Sequence, residues 1–214
     1  MIKTALFDLD GVVFNTEPQY TVFWGNVMKT YYPEEPGLEL KIKGQTLVQI
    51  YDKYFPDADV QAKITKGLDE YERNMTYEYV TGFEAFIKDL KAHGMNTAVV
   101  TSSNRDKMEN VYHQHPEFKE YFDRILTSED FDKSKPDPDC YLKGAACFDC
   151  TPAECVGFED SFNGLKAVKA AKEFVVGLST TNSEEQIAPY SNVVISDYVG
   201  MDYAKLLETI ARFQ

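Results

Sequence analysis

Histidine, tryptophan and basic residues are scarce in this chain of 214 residues, and no long apolar run occurs. Twenty-two lysines and arginines face 35 aspartates and glutamates, giving a formal net charge of −13. A surface of that sign is repelled by phosphate backbones and anionic lipid unless a local basic patch intervenes. The lysines are scattered, so neither nucleic acid nor a membrane is expected as a partner. No apolar stretch approaches the ~20 residues of a membrane span. Near the start, Ala5-Leu6-Phe7 runs straight into Asp8 and Asp10, so no signal-peptide apolar region forms. A cytoplasmic protein is the expectation, with a monomer as the default.

Cysteine is also sparse. The four that occur, Cys140, Cys147, Cys150 and Cys155, fall within sixteen residues. Their spacing does not make two paired metal knuckles, and Cys155 opens an apolar, strand-like run, so buried reduced thiols are expected rather than zinc. Two glycine-rich signatures are missing as well. Without G-x-x-x-x-G-K-[ST] or G-x-G-x-x-G, nucleotide-loop and dinucleotide readings have no anchor.

What is present is an alternation of short apolar runs with amphipathic helical segments. The length suffices to bury roughly two-thirds of the unfolded surface. Strands are expected at 2–7, 97–100, 124–126, 155–158, 174–178 and 193–195. Helices are expected after Gly82, from a hydroxyl cap in Thr101-Ser102-Ser103-Asn104, over about 138–149, and at 161–172 and 203–211. Short buried-type strands alternating with helices predict an α/β fold, a parallel Rossmann-like sheet covered on both faces. A tyrosine-rich helical stretch interrupts the alternation after the first strand. The expected division is a catalytic core of residues 1–15 and 81–214, with an inserted α-helical domain at 16–80. Eight of the fourteen tyrosines lie in that insert and are expected to form its core.

In an open parallel sheet, ligands bind beyond the carboxyl ends of the strands. The polar residues at those positions are Asp8 and Asp10, then Thr101 and Ser102, then Glu159 and Asp160, with Lys135 in a nearby loop. Carboxylates from two strand ends suit a hard divalent cation such as Mg²⁺. A lysine, a hydroxyl and helix N-terminal N–H groups suit a phosphoryl group. Together they point to metal-assisted phosphoryl transfer. The Asp-x-Asp pattern alone is weak, because it occurs four times; only Asp8/Asp10 ends an apolar strand.

Phe7-Asp8-Leu9-Asp10-Gly11-Val12, Val100-Thr101-Ser102-Ser103, Ser134-Lys135-Pro136-Asp137-Pro138 and Gly157-Phe158-Glu159-Asp160-Ser161 resemble the four motifs of the haloacid dehalogenase superfamily. Their order and the helical insert resemble the branch that holds β-phosphoglucomutase and many small-metabolite phosphatases. The resemblance implies the haloacid dehalogenase fold with a mobile helical cap, and the following roles. Asp8 is the nucleophile, Asp10 the general acid and base, and Lys135 the charge-neutralising lysine. Thr101 and Ser102 hold the phosphoryl oxygens. Mg²⁺ is held by Asp8, the carbonyl of Asp10 and Asp160, with Glu159 acting directly or through water. Gln19, Tyr20 and Lys43 are the candidate substrate contacts on the cap.

The same resemblance separates three activities. A sugar phosphomutase of this branch carries a histidine in the first cap helix and an arginine shortly after a Lys-Gly pair. Here those regions read Thr16-Glu17-Pro18-Gln19-Tyr20 and Lys43-Gly44-Gln45-Thr46-Leu47, with neither residue. A non-catalytic binding module is disfavoured because Asp8, Asp10, Lys135 and Asp160 are all present. The expected function is a Mg²⁺-dependent phosphatase acting on a small phosphorylated metabolite through an aspartyl phosphate.

Overall fold

A computed structural model describes residues 2–43 and 45–213. Six strands, β1 (Thr4–Phe7), β2 (Asn96–Val100), β3 (Arg124–Leu126), β4 (Cys155–Glu159), β5 (Phe174–Leu178) and β6 (Val193–Ile195), form one parallel sheet in the order β3-β2-β1-β4-β5-β6. The chain starts in the middle of the sheet, builds outward on one side, then returns to build the other. The reversal lies between β1 and β4, where Leu6 pairs with Gly157 and Phe7 with Phe158.

Side chains that alternate along each strand feed two cores. Ala5, Phe7, Val99, Val156 and Phe158 face one core; Leu6, Ala98, Val100, Cys155 and Val175 face the other. Between β1 and β2 the helices are α1 (Glu17–Tyr31), α2 (Leu38–Lys41), α3 (Leu47–Tyr54), α4 (Ala58–Asn74) and α5 (Phe83–Ala92). Then follow α6 (Arg105–Gln114), α7 (Phe118–Tyr121), α8 (Asp139–Ala146), α9 (Phe162–Ala171), α10 (Glu184–Ile187) and α11 (Tyr203–Phe213). The first core takes residues of α5, α6, α7 and α11, and the second those of α8 and α9.

Helices α1 to α4 have a third cluster of their own, built on Phe23, Trp24, Met28, Leu38, Ile50, Tyr51, Phe55 and Ile64. The chain crosses between this cluster and the sheet twice, and the two crossings are tied together. Asn15 N–H donates to the Glu78 carbonyl at 2.8 Å, and Val80 N–H to the Val13 carbonyl at 2.9 Å. Phe14 and Tyr79 stack between them with ring centroids 4.7 Å apart. The tyrosines of the segment are divided accordingly. Tyr51 lies in the helical cluster, whereas Tyr77 is buried in the sheet's core and Tyr79 packs against it.

The helix after β2 differs from expectation at its start. Its cap is the Asn104 carboxamide, which accepts from Lys107 N–H at 2.9 Å, and not a hydroxyl. The nearby Ser103 hydroxyl is engaged elsewhere, as shown below. Helix α8 stops at Ala146, short of the expected 149, where Asp149 turns the backbone at φ 52. All four cysteines are free, with Cys140 and Cys155 buried as expected and Cys147 exposed. No described helix is long and apolar enough to cross a membrane.

Candidate active site

The parallel pairing of β1 with β2 and β4 brings the ends of three strands side by side. Asp8 follows β1, its N–H held by the Phe158 carbonyl at 3.1 Å. Thr101 follows β2, held by the Leu126 carbonyl at 3.1 Å, and Asp160 follows β4. These residues, with Asp10, Ser102 and Lys135, line one cavity of about 410 Å³ between the sheet and helices α1 to α4.

Lys135 is the hub of this floor. It is 5% exposed, and its ammonium donates to Asp8 Oδ1 at 2.6 Å, Glu159 Oε1 at 2.6 Å and the Val100 carbonyl at 3.0 Å. Burial alone would lower its pKa, but the Asp8 and Glu159 carboxylates outweigh that and raise it. Glu159 is fully buried and also accepts from the Tyr141 hydroxyl at 2.8 Å, the Asp160 N–H and the Ser161 hydroxyl. Gly164, at the start of α9, gives its carboxylate room. A Cβ there would sit 1.9 Å from Glu159 Cδ.

Carboxylate oxygens of Asp8, Glu159 and Asp160 lie within 4.8 Å of one another. Burial pushes Asp8 up to about 7 against the pull of Lys135, and burial with the nearby Glu159 charge raises Asp160. Such a cluster of hard oxygens fits a divalent cation, whose charge would offset this repulsion. Glu159 already has four protein donors, so Asp8 and Asp160 are the freer carboxylates. Asp160 itself accepts from the Thr181 hydroxyl, and Gly11, at φ +71, keeps the neighbouring space open for it.

Asp10 occupies different surroundings. It accepts from the Thr16 hydroxyl at 2.6 Å, the Ser103 hydroxyl at 3.1 Å and the Lys107 ammonium at 2.5 Å. Burial works against its ionisation, yet Lys107 and the hydroxyls prevail and hold its pKa below the usual range. Lys107 is 3% exposed and also lies over the Tyr20 ring, 4.8 Å from its centroid. The sequence reading missed it. On a helix as polar as α6 a lysine reads as a solvated one, and only the tertiary fold turns it inward.

On the other side of the cavity, Tyr20 and Lys43 line the wall, with Lys43 facing Glu17 at 3.9 Å. Gln19 does not. Its carboxamide bonds the Thr76 carbonyl at 2.7 Å and the Thr76 N–H at 3.1 Å, tying α1 to the returning chain away from the cavity. Gly44, next to Lys43, lies outside the described residues.

The chain is similar to known proteins in both sequence and fold. The pattern of haloacid dehalogenase-like hydrolases matches residues 5–178. A probable pseudouridine-5'-phosphatase of Saccharomyces cerevisiae is 31% identical over 198 residues, covering 82% of this chain and 81% of that protein. A bifunctional riboflavin kinase/FMN phosphatase of Arabidopsis thaliana is 28% identical over 94% of this chain, which spans 55% of that longer protein. In fold, the chain is similar to a hydrolase of Entamoeba histolytica, with a TM-score of 0.84 at 20% identity, covering 98% of this chain and all of the other. A β-phosphoglucomutase of Clostridium difficile gives a TM-score of 0.81 at 18% identity, covering 100% and 99%. At those identities the structural likeness speaks for the fold alone.

Proposed function

The chain belongs to the haloacid dehalogenase-like hydrolase family and is a phosphoric monoester hydrolase, and from that premise we propose that it hydrolyses a small phosphorylated metabolite with Mg²⁺ through an aspartyl phosphate. The observation that carries the reading is the Lys135 ammonium 2.6 Å from Asp8 at the floor of the cavity. A carboxylate held against a fixed cation is poised to accept a phosphoryl group whose charge the same cation neutralises.

In this reading Asp8 attacks the phosphorus, and Thr101 and Ser102 hold the transferring oxygens. Glu159 is a positioning residue that fixes Lys135. Asp8, the Asp10 carbonyl and Asp160 would hold the divalent cation, which would supply charge neutralisation for the phosphoryl oxygens. Lys107, Thr16 and Ser103 keep Asp10 as a carboxylate, the form that takes a proton from the attacking water. Delivering a proton to the leaving alcohol requires the protonated form, which loss of the Lys107 contact favours. Residues 16–80 form a cap over this floor, and the tied crossings at 13–15 and 78–80 are its hinge. Solution as a cytoplasmic monomer, without nucleic acid or membrane, completes the reading.

One assay tests it. Phosphate release from a panel of phosphorylated sugars, nucleotides and polyols is expected to stop in excess chelator and return with Mg²⁺. Asp8→Asn is expected to abolish it, and Asp10→Asn to lose roughly 10²–10⁴-fold. Full release in excess chelator, or a near-wild-type Asp8→Asn, would overturn the assignment. With β-glucose 1-phosphate and a catalytic bisphosphate, glucose 6-phosphate is expected to stay negligible. Its rapid formation without free phosphate would make the enzyme a mutase.

A further inference from the structure

The cavity has two chemically unlike halves. Its floor holds the phosphoryl-handling groups, with Lys135 and Lys107 both buried. The wall supplied by α1 to α4 and their loops carries four carboxylates, Glu17, Glu39, Asp69 and Glu72, against one lysine, Lys43, which already faces Glu17. Glu72 is partly engaged by the Tyr20 hydroxyl at 2.7 Å. From the same wall comes Trp24, the only tryptophan of the chain. It is 8% exposed, lines the cavity, and its indole N–H meets no acceptor among the described residues.

A phosphomonoester bound with its phosphorus at Asp8 turns its alcohol portion toward this wall. A second phosphate or a carboxylate on that portion would meet like charge, least offset at Glu39 and Asp69, since Glu17 faces Lys43 and Glu72 is held by the Tyr20 hydroxyl. A protonated amine would meet attraction instead, and the face of an aromatic ring adds to it. The unmatched indole N–H calls for an oxygen acceptor on the ligand, such as a hydroxyl.

We infer that the substrate is the phosphate monoester of a small amino alcohol or amino sugar, bearing one protonated amine besides its hydroxyls, and that esters with a second anionic group are excluded. This rests on the phosphatase reading, which supplies the orientation. It also revises the expectation that a cap ammonium would grip the metabolite: that wall is acidic, and the ammonium belongs on the ligand.

The test uses three esters of similar size and different charge, namely glucosamine 6-phosphate, glucose 6-phosphate and 6-phosphogluconate, with p-nitrophenyl phosphate as an uncommitted reference. With the Mg²⁺-loaded enzyme, kcat/KM is expected to fall in that order by about tenfold per step, and the spread to shrink at high salt. In Glu39→Gln/Asp69→Asn the ratio of amine to acid ester is expected to fall by at least about tenfold. Binding of the three esters to Asp8→Asn, measured by calorimetry, is expected to keep the order. Equal rates for the three sugars beside a hydrolysed aryl phosphate, or preference for the acid, would overturn the inference and leave the phosphatase reading standing. No release from any ester would overturn the phosphatase reading. The calorimetric order would then decide the inference, a flat or reversed order overturning it.

Discussion

Glu173 has no part in the site, yet its burial makes the fold sensitive to pH. It lies in the turn before β5, 6% exposed, and neither carboxyl oxygen has a hydrogen-bond partner. Burial pushes its pKa up to about 9 from an ordinary 4.5. Between those values the folded chain keeps a proton that the unfolded chain gives up, so stability falls as pH rises through that window. From pH 5 to pH 7 the loss is on the order of 3 kcal/mol. Glu173→Gln is expected to remove most of that slope, raising the melting temperature at pH 7 far more than at pH 5. Lys107 offers a second test at the same scale. With Lys107→Met, Asp10 loses the cation that keeps it ionised, and its pKa rises. The acidic limb of the phosphate-release profile, followed from about pH 5 to 8, is then expected to move to higher pH. Lys107→Arg is expected to move it back.

Among the elements, helix α9 shows how a short backbone contact sets the geometry of the floor. Ser161 caps it by accepting from Gly164 N–H at 3.1 Å, and the Glu159 carboxylate fills the space that a side chain at 164 would take. Gly164→Ala is therefore expected to displace Glu159, leave Lys135 without one of its two carboxylates, and lower kcat by roughly 10²-fold. An overpacking cost of about 1–3 kcal/mol should accompany it in denaturant unfolding. Positions of this kind also mark what could be read in advance. Strands β3, β5 and β6 were legible residue for residue, because short, mostly apolar runs were bounded by polar turns. The motif residues Asp8, Thr101 and Asp160 were legible from their places after strands, and Lys135 from its motif in the loop before α8. Helices α7 and α10, four residues each, were not, since one turn carries no periodicity. Lys107, Ser103 and Thr16 were missed as partners of Asp10 because their spacing to it has meaning only in three dimensions. Gln19 was misplaced because a helix face can be inferred from sequence, but not which neighbour that face meets.

At the scale of the molecule, β1 is the strand on which the sheet depends. All four of its residues are buried, and its partners lie about 90 and 150 residues further along the chain. Contacts of such separation are slow to form, since the intervening chain must first be ordered. The segment between β1 and β2 lessens the problem by owning a cluster whose buried side chains come from its own helices and loops. During synthesis, at about 5–20 residues per second, Thr4–Phe7 must wait several seconds for Asn96–Val100 and longer still for Cys155–Glu159. Pulse-labelled hydrogen exchange on refolding protein is expected to protect α1 and α4 before the amides of β1 and β4. The helical lobe would then serve the nascent chain before it serves a substrate, as the first part able to fold while the apolar strand behind it still lacks neighbours.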